Sequence, residues 1–171
     1  MVAFFYNLLM EQTSHYEFKT ENHNLDIVIV CDSLASPANI GGVLRLSDAF
    51  GAREVVFLGT KQILTSRAKS VSRGTEKFVK YRFLENFEFD TREWFCLELT
   101  KSSSPITSFS LKSNKIGIII GNENRGVQKR FLELFPSFHI KMFGVNSSMN
   151  VTNALSSALF QLTNNCSVDR P

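Results

Sequence analysis

The chain has 171 residues, of which 43% are hydrophobic and 20% are charged, and its formal net charge at pH 7 is +3. These values are typical of one globular domain with a hydrophobic core, and they exclude a largely disordered chain. Its apolar runs are shorter than the roughly 20 residues that cross a membrane. The apolar start at residues 2–10 has no preceding basic region and no cleavage site, so it predicts a docking helix rather than a signal peptide.

Three elements open the core in the order strand, helix, strand. Residues 26–31 form a run of aliphatic and β-branched side chains typical of a buried strand, and residues 54–58 form another. Between them, residues 40–50 carry apolar side chains at helical spacing and end before a glycine. This order predicts a right-handed βαβ unit with a parallel pair of strands.

Two adjacent glycines, Gly41 and Gly42, fall in the first turn of that predicted helix, four and three residues before Arg45. Each costs about 1 kcal/mol relative to alanine inside a helix, which requires a compensating role. The spacing places both glycines on the same helix face as Arg45. We therefore predict that a ligand approaches the bare backbone there. Tight packing of another helix is the alternative.

The remainder of the chain continues the alternation. It predicts a short basic helix, a strand, an acidic helix, a strand, a mobile serine-rich loop, a buried strand, a short helix, a strand and an amphipathic helix. These segments span residues 65–73, 78–83, 86–93, 94–99, 101–110, 116–120, 128–134, 137–141 and 151–162, in that order. The pattern predicts an α/β fold with a mostly parallel sheet and flanking helices. We find no repeat or linker and expect a single domain over residues 1–171, with an N-terminal extension at 1–24, a core at 25–162 and a tail at 163–171.

Two familiar kinds of site lack support in this sequence. The glycine-rich fingerprint of dinucleotide-binding proteins and the P-loop are both missing. The three histidines share no ligand spacing with the three cysteines, so we expect no metal site. The cysteines are odd in number and widely spaced, which indicates buried thiols in a reducing compartment. We therefore predict a cytoplasmic protein.

Positive charge is concentrated in one part of the chain. Residues 45–82 contain nine basic and three acidic side chains, a net charge of +6, so the remainder is acidic overall. The basic residues are Arg45, Arg53, Lys61, Arg67, Lys69, Arg73, Lys77, Lys80 and Arg82. Such asymmetry is typical of a protein that binds a polyanion on one face. A solvated surface without a partner is the alternative.

Two polar loops stand beside the last predicted strands. Residues 121–126 (GNENRG) follow the buried strand at 116–120, and residues 146–150 (NSSMN) precede the final helix. Ligands of parallel α/β sheets bind beyond the carboxyl ends of the strands. We therefore predict a small-molecule site where these two loops meet.

Each residue of these loops also has a simpler explanation. An exposed salt bridge within the first loop, between Glu123 and Arg125, would contribute about 0–1 kcal/mol and need no ligand. Asn150 or Ser148 at the start of the final helix is a normal helix cap. Core packing alone would explain the apolar residues of the second strand and loop.

Three ordered motifs connect these stretches. The first, D-x-x-x-x-P-x-N-x-G-x-x-x-R, begins at Asp32 and ends at Arg45. The second, G-x-E-x-x-G, occupies residues 121–126, and the third is written SMNVT at residues 148–152 where the pattern is S-L-N-V-S. Together they resemble the SpoU/TrmH family of RNA ribose 2′-O-methyltransferases over nearly the whole chain. The sequence departs from the family at Lys141, where an Ile-Pro-Met segment has proline, and at Met149, where leucine is usual.

The resemblance implies the α/β knot of the SPOUT superfamily, with a C-terminal trefoil knot and a homodimer. It implies S-adenosylmethionine as the cofactor and methylation of a ribose 2′-hydroxyl in tRNA or rRNA. The family holds this cofactor in three backbone loops, and the matching positions here are Gly121, Ile140 and Met149, with Asn150 beside them. Glycine permits a close ligand approach, and the two apolar residues provide walls.

The resemblance also assigns roles to polar side chains. The catalytic set comprises Arg45, Asn39, Glu123, Ser148 and Asn150. The RNA-binding set, Arg45, Arg67, Lys69 and Arg73, is predicted separately from the positive charge of residues 45–82. Because a guanidinium group stays charged, Arg45 is better suited to clamp a phosphate and stabilise a developing alkoxide than to remove a proton. Asn39 would orient Arg45 or the RNA.

Two other classes of function remain open on the sequence alone. An RNA-binding or chaperone module of the same fold, without catalysis, would share the basic region, although the intact catalytic set argues against it. A cofactor-binding α/β enzyme that does not act on RNA would leave the basic region unexplained.

Overall fold

The computed structural model describes residues 22–59 and 63–164. Seven strands form one sheet in the order β3-β2-β1-β6-β4-β7-β5, and every paired neighbour is parallel. The strands are β1 (Asp26–Asp32), β2 (Glu54–Leu58), β3 (Tyr81–Leu84), β4 (Glu93–Leu97), β5 (Ser104–Pro105), β6 (Lys115–Ile120) and β7 (Ser137–His139). The predicted α/β fold with a parallel sheet is confirmed, whereas the trefoil knot stays a prediction. The predicted N-terminal helix, Lys61 and the tail after residue 164 lie outside the described residues.

The strand order reverses direction next to β1, and this reversal locates the site. The chain first adds β2 and β3 on one side of β1, and later adds β6 and β4 on the other. β1 and β6 are in register, with Cys31 opposite Ile120, so their carboxyl ends lie side by side. A crevice at such a switch point is where open α/β sheets bind ligands.

In the described part of the chain, four α-helices cover the sheet: α1 (Pro37–Ala49), α2 (Ser66–Ser72), α3 (Lys129–Leu134) and α4 (Val151–Asn164). α1, α2 and α4 pack on the face that carries Ile27, Ile29 and Phe57. α3 and the aromatic segment 85–92 pack on the opposite face, against Val28 and Trp94. No helix within the described residues is long and apolar enough to cross a membrane.

The two glycines of α1 make close helix packing possible. A Cβ atom on Gly41 would lie 2.3 Å from the carbonyl oxygen of Ala68 in α2, and one on Gly42 would lie 2.9 Å from Cγ2 of Thr152 in α4. Neighbouring helices therefore occupy the space beside both glycines. Our prediction that a ligand approaches this backbone was wrong, and the alternative of helix packing is correct.

The predicted acidic helix at residues 86–93 is also wrong. The segment is an extended loop leading into β4, and its aromatic side chains pack on the sheet instead of following helical spacing. Phe87 and Phe89 meet the Trp94 ring nearly edge-on, with ring centroids 5.6 and 4.9 Å away. Alternating aromatic residues fit a pleated surface, and burying these rings outweighs the weak helical preference of the acidic residues.

The predicted mobile loop at residues 101–110 is partly ordered. It contains the edge strand β5, with Pro105 opposite His139 in β7, and a turn in which Ile106 is only 4% exposed. Phe109 packs against Phe95, with ring centroids 4.9 Å apart. These apolar contacts anchor a segment whose serines suggested a solvated loop.

Two of the cysteines lie in the described residues, and both are free and buried as predicted. Burial, together with the nearby carboxylates of Glu98 and Asp32, raises the pKa of the Cys96 thiol to about 12. Burial likewise raises the pKa of Cys31 well above its usual range. Both residues therefore act as small apolar core side chains.

Candidate active site

A cleft of about 680 Å³ opens at the carboxyl ends of β4, β6 and β7. Its walls come from residues 97–100 after β4, 120–127 after β6, 139, 140 and 142 after β7, 147–151 and 154 at the start of α4, and Leu132 of α3. Both polar loops singled out in the sequence therefore face one cavity. A cavity of this volume suits a drug-sized or cofactor-sized ligand.

The loop after β6 is held in shape by Asn122. Its side-chain oxygen accepts hydrogen bonds from the backbone N–H groups of Asn124 (3.0 Å) and Arg125 (3.2 Å), and its side-chain N–H group donates to the Ser33 carbonyl (2.7 Å). The backbones of Asn122 and Gly126 pair with each other in both directions. The loop is consequently a compact turn fastened to the end of β1.

Gly121 is required by this turn itself. A Cβ atom there would lie 2.1 Å from the backbone carbon of Gly126 and 2.2 Å from the backbone nitrogen of Val127. The space beside Gly121 is filled by the folded-back loop, although Gly121 also lines the cleft. A substitution would therefore disturb the loop before it obstructs a ligand.

Replacing Gly121 by alanine should lower the free energy of unfolding by about 1–3 kcal/mol, the usual cost of overpacking. Chemical denaturation measures this effect, and calorimetry should show weakened cofactor binding as well. Gly144→Ala is the matched control, since a Cβ atom there meets none of the described residues within 4 Å. Equal denaturation midpoints for the two variants would contradict this packing argument.

Glu123 joins the loop after β6 to the start of α1. Its carboxylate accepts hydrogen bonds from the backbone N–H groups of Ala35 (3.1 Å) and Ser36 (2.9 Å) and from Nδ2 of Asn39 (2.9 Å). Asn39 Oδ1 in turn accepts from Nδ2 of Asn150, at 3.2 Å. A continuous hydrogen-bonded chain thus links one residue from each of the three sequence motifs.

Two opposing effects act on the ionisation of Glu123. Partial burial favours the neutral acid, whereas the hydrogen bonds donated by Asn39, Ser36 and Ala35 favour the carboxylate. The hydrogen bonds prevail, so the pKa of Glu123 lies below its usual value. Glu123 is therefore an anion at neutral pH. The predicted alternative, a salt bridge with Arg125, is not found among the described residues.

The residues before α4 have divided roles. Asn150 Oδ1 accepts a hydrogen bond from the Thr152 N–H group at 2.9 Å, so Asn150 caps α4 while its amide reaches Asn39. Ser148 lies two residues before this cap, and its N–H and hydroxyl groups both donate to Asn146 Oδ1. Ile140, Ser148 and Met149 line the cleft, and Met149 is 39% exposed.

Lys141, the departure from the family pattern, is exposed and does not line the described cleft. Its neighbours Ile140 and Met142 do line it. The charge in place of proline therefore faces solvent, and the apolar wall of the cleft is kept.

Sequence reasoning missed several residues of the cleft. Glu98, after β4, accepts hydrogen bonds from the backbone N–H groups of Val127 (2.9 Å) and Leu99 (3.1 Å). His139, at the end of β7, is hydrogen-bonded through Nδ1 to Ser103 Oγ at 2.9 Å. The available signal was positional, because both residues lie at or just beyond the carboxyl end of a strand.

The basic residues occupy two separate regions. Arg53 pairs with Asp26 (2.8 Å) and Arg82 with Glu54 (2.6 Å), at the amino ends of the strands and away from the cleft. The predicted RNA-binding residues Arg67, Lys69 and Arg73 are instead exposed on and just after α2, without a salt bridge among the described residues.

Arg45 is exposed on α1 and is not part of the cleft lining. Gly41, four residues before Arg45, contacts α2, and Gly42, three residues before Arg45, contacts α4. Residues at these spacings share a helix face. Arg45 therefore emerges on the surface of α1 between the flanking helices α2 and α4.

Comparison with known proteins agrees with this geometry. The model of the SpoU rRNA Methylase family matches residues 26–160, and the chain belongs to that family. The 23S rRNA (guanosine-2′-O-)-methyltransferase RlmB of Haemophilus influenzae is 27% identical over 150 residues, which are 82% of this chain and 61% of that protein. A Staphylococcus epidermidis protein of the TrmH family of tRNA/rRNA methyltransferases is 28% identical over 143 residues, 79% of this chain and 57% of that one. The chain thus spans about three fifths of the length of these relatives.

Solved structures share the fold. The SpoU methyltransferase AviRb from Streptomyces viridochromogenes, in complex with the cofactor AdoMet, aligns with a TM-score of 0.72 at 19% identity, covering 84% of this chain and 61% of AviRb. The A. aeolicus TrmH/SpoU tRNA modifying enzyme aligns with a TM-score of 0.72 at 20% identity, covering 81% of this chain and 74% of that enzyme. At these identities the likeness concerns the fold.

Proposed function

We propose that this protein methylates a ribose 2′-hydroxyl of tRNA or rRNA, with S-adenosylmethionine as the methyl donor. The observation that carries the proposal is the hydrogen-bonded chain Glu123–Asn39–Asn150, which joins all three motifs at the edge of the cleft. Membership of the SpoU family and the printed activity of the relative RlmB support the same reaction.

The residues present fit S-adenosylmethionine. Ile140, Met142 and Met149 provide apolar walls for an aromatic ring, and the backbone of residues 121–127 provides N–H and C=O groups around it. The bound cofactor supplies a methyl group on a positively charged sulfur. The carboxylates of Glu98 and Glu123 place negative charge along the same cleft, which favours a cationic ligand.

The protein's own contribution to the reaction is positioning and charge. Glu123 fixes Asn39 at the start of α1, and Asn39 and Asn150 orient groups at the cleft edge. Arg45, on the same helix, holds the phosphate next to the reacting ribose and stabilises the negative charge that develops on the 2′-oxygen as its proton passes to solvent. Orientation of this kind is worth most when the reacting atoms are held roughly 3–3.5 Å apart.

RNA binds, in this proposal, across the exposed basic residues of α2. Replacing Arg67, Lys69 and Arg73 together by glutamine should reduce the slope of log affinity against log salt concentration by about two to three, since each phosphate contact contributes about 0.7–0.9. Fluorescence anisotropy with bulk tRNA at several salt concentrations measures the slope. The control variant Lys112→Gln/Lys115→Gln removes two exposed charges near the amino end of β6 and should leave the salt slope unchanged. An unaltered slope in the triple variant would mean that these charges contact only solvent.

We further propose a cytoplasmic homodimer with the family's trefoil knot, built from a single domain. Phe143 and Val145, in the loop before α4, are 95% and 106% exposed, and a second copy would cover such apolar side chains.

The competing function is an RNA-binding module without catalysis. Nucleoside mass spectrometry of bulk tRNA and rRNA, from cells with and without the gene, distinguishes it from the proposed enzyme. Loss of one 2′-O-methylnucleoside supports the enzyme, and unchanged pools count against it.

A further inference from the structure

Phe78 exposes 80% of its surface, although the backbone around it is hydrogen-bonded in a turn. It directly follows the 3-10 turn Thr75–Lys77, and its N–H group donates to the Thr75 carbonyl at 2.9 Å. The next residue, Val79, donates to the same carbonyl at 3.0 Å and is buried in the core. The ring is therefore carried outward by a fixed backbone. A single exposed apolar side chain is common on proteins, so the surroundings decide whether it has a function.

Two exposed basic residues precede Phe78 in the same turn region. Lys77 precedes it, and Arg73 ends α2 at the beginning of the same turn, in a left-handed conformation with φ of 54°. Both side chains are exposed, and neither forms a salt bridge with a described residue. The acidic residue of the turn, Glu76, accepts a hydrogen bond from the hydroxyl of the buried Ser72 and also interacts electrostatically with Lys77, so Arg73 supplies the positive charge that Glu76 leaves unbalanced.

We propose that Phe78, Arg73 and Lys77, here called the Phe78 platform, bind single-stranded RNA by stacking an unpaired base on the ring and contacting adjoining phosphates. An exposed aromatic ring near exposed cations is the arrangement by which proteins hold single strands. A duplex offers no free base face to such a ring, because its bases stack on one another. A second copy of this chain fits less well, because it would bring the same positive charges to the surface.

The platform lies next to the surface that carries Arg45. α2 crosses α1 where Gly41 meets Ala68, and the 3-10 turn that precedes Phe78 also packs on α1. One strand of RNA lying along this side of α1 would contact the platform and Arg45 together. The inference rests on the proposed RNA substrate and restricts the class of RNA that fits. The nucleotides that contact the α2 side are unpaired, as in a loop or a single-stranded segment.

The test compares two RNA probes by fluorescence anisotropy: a stem-loop with seven unpaired nucleotides, and a blunt duplex of equal charge. Phe78→Ala should weaken stem-loop binding by at least about fivefold, the lower end of the stacking range, and leave duplex binding unchanged. Phe78→Trp should restore stem-loop binding. The salt slope should stay unchanged in Phe78→Ala and fall in Arg73→Gln/Lys77→Gln. Phe160→Ala removes another exposed ring, 60% exposed on α4, and serves as the control with parental affinity.

Each failure has a distinct meaning. Parental stem-loop affinity in Phe78→Ala, together with intact methyl transfer by the parent, overturns the platform and leaves the proposed function standing. If Phe78→Ala loses affinity equally for the stem-loop and the duplex, the substitution has a structural effect, and this result also overturns base stacking. A Phe78→Ala variant that sediments as a smaller species with unchanged RNA affinity assigns the ring to an interface between copies. A parent protein that binds neither probe overturns the platform and the proposed RNA substrate together.

Discussion

Arg45→Ala should retain the fold and the affinity for S-adenosylmethionine while losing at least about a hundredfold in single-turnover methyl transfer, the effect of removing one oxyanion donor. The structure supports the separation of these effects, because Arg45 is exposed on α1 and lies outside the cleft lining. Its interactions with the phosphate and alkoxide are strongest in the transition state, so turnover falls more than binding. Arg45→Lys keeps the charge but loses the planar guanidinium, and should recover only part of the rate.

The matched control for Arg45 is Arg53→Ala. Arg53 is also a partly exposed arginine, but it pairs with Asp26 at the amino ends of the strands, and its loss should leave the single-turnover rate within a few-fold of the parent. Rapid-quench measurements with the true RNA substrate and saturating protein separate chemistry from product release. If Arg45→Ala reacted as fast as Arg53→Ala, Arg45 would have no part in the mechanism.

Glu123→Gln should reduce both stability and methyl transfer. The carboxylate accepts three hydrogen bonds that fix the start of α1, and an amide turns one acceptor into a donor facing other donors. Leaving such donors unsatisfied costs about 1–3 kcal/mol of the free energy of unfolding. Methyl transfer should fall as well, because Asn39 loses the group that orients it toward Asn150. Urea denaturation and the single-turnover assay report the two effects.

The pH dependence of the Glu123 contribution has a definite sign. The pKa of Glu123 is lower in the folded protein, because hydrogen bonds outweigh the effect of burial. Its contribution to stability is therefore complete above the unfolded-state pKa of about 4.3 and is lost as pH falls through the lower folded-state pKa. The stability difference between parent and Glu123→Gln should shrink in that acidic range. Glu133→Gln, whose side chain is 62% exposed, should show parental behaviour throughout. A difference that persists unchanged below both pKa values would contradict the assigned hydrogen bonds.

The sequence predicted the central strands because their residues are continuously apolar. β1, β2 and β6 are buried on both faces, so hydrophobic runs alone locate them. The segment at residues 86–93 was mistaken for a helix because its acidic residues suggested one, whereas burial of Phe87 and Phe89 against Trp94 determines its path. The alternation of Phe87 and Phe89 was the local signal of an extended segment, but it is too short to outweigh the acidic composition without knowledge of the packing against Trp94.

The site was predicted in outline for a similar reason. Motif order indicated that Asn39, Glu123 and Asn150 belong to one site, but residues 84 and 111 positions apart have no spacing that predicts direct hydrogen bonds. The role of Gly41 was misread because a bare backbone looks the same in sequence whether a ligand or a helix approaches it. Glu98 and His139 stand in no motif, and their place at or just beyond a strand end was the one sequence signal that they face the cleft.

The proposed reaction is tested most directly by reconstitution. Purified protein is incubated with S-adenosylmethionine carrying a labelled methyl group and with tRNA and rRNA from cells that lack the gene. The RNA is digested to nucleosides and analysed by mass spectrometry. We expect the label in one 2′-O-methylnucleoside, with none transferred by Arg45→Ala on the same timescale. Label found only on a base, or no transfer to either RNA pool by a folded protein that binds the cofactor, would contradict ribose 2′-O-methylation.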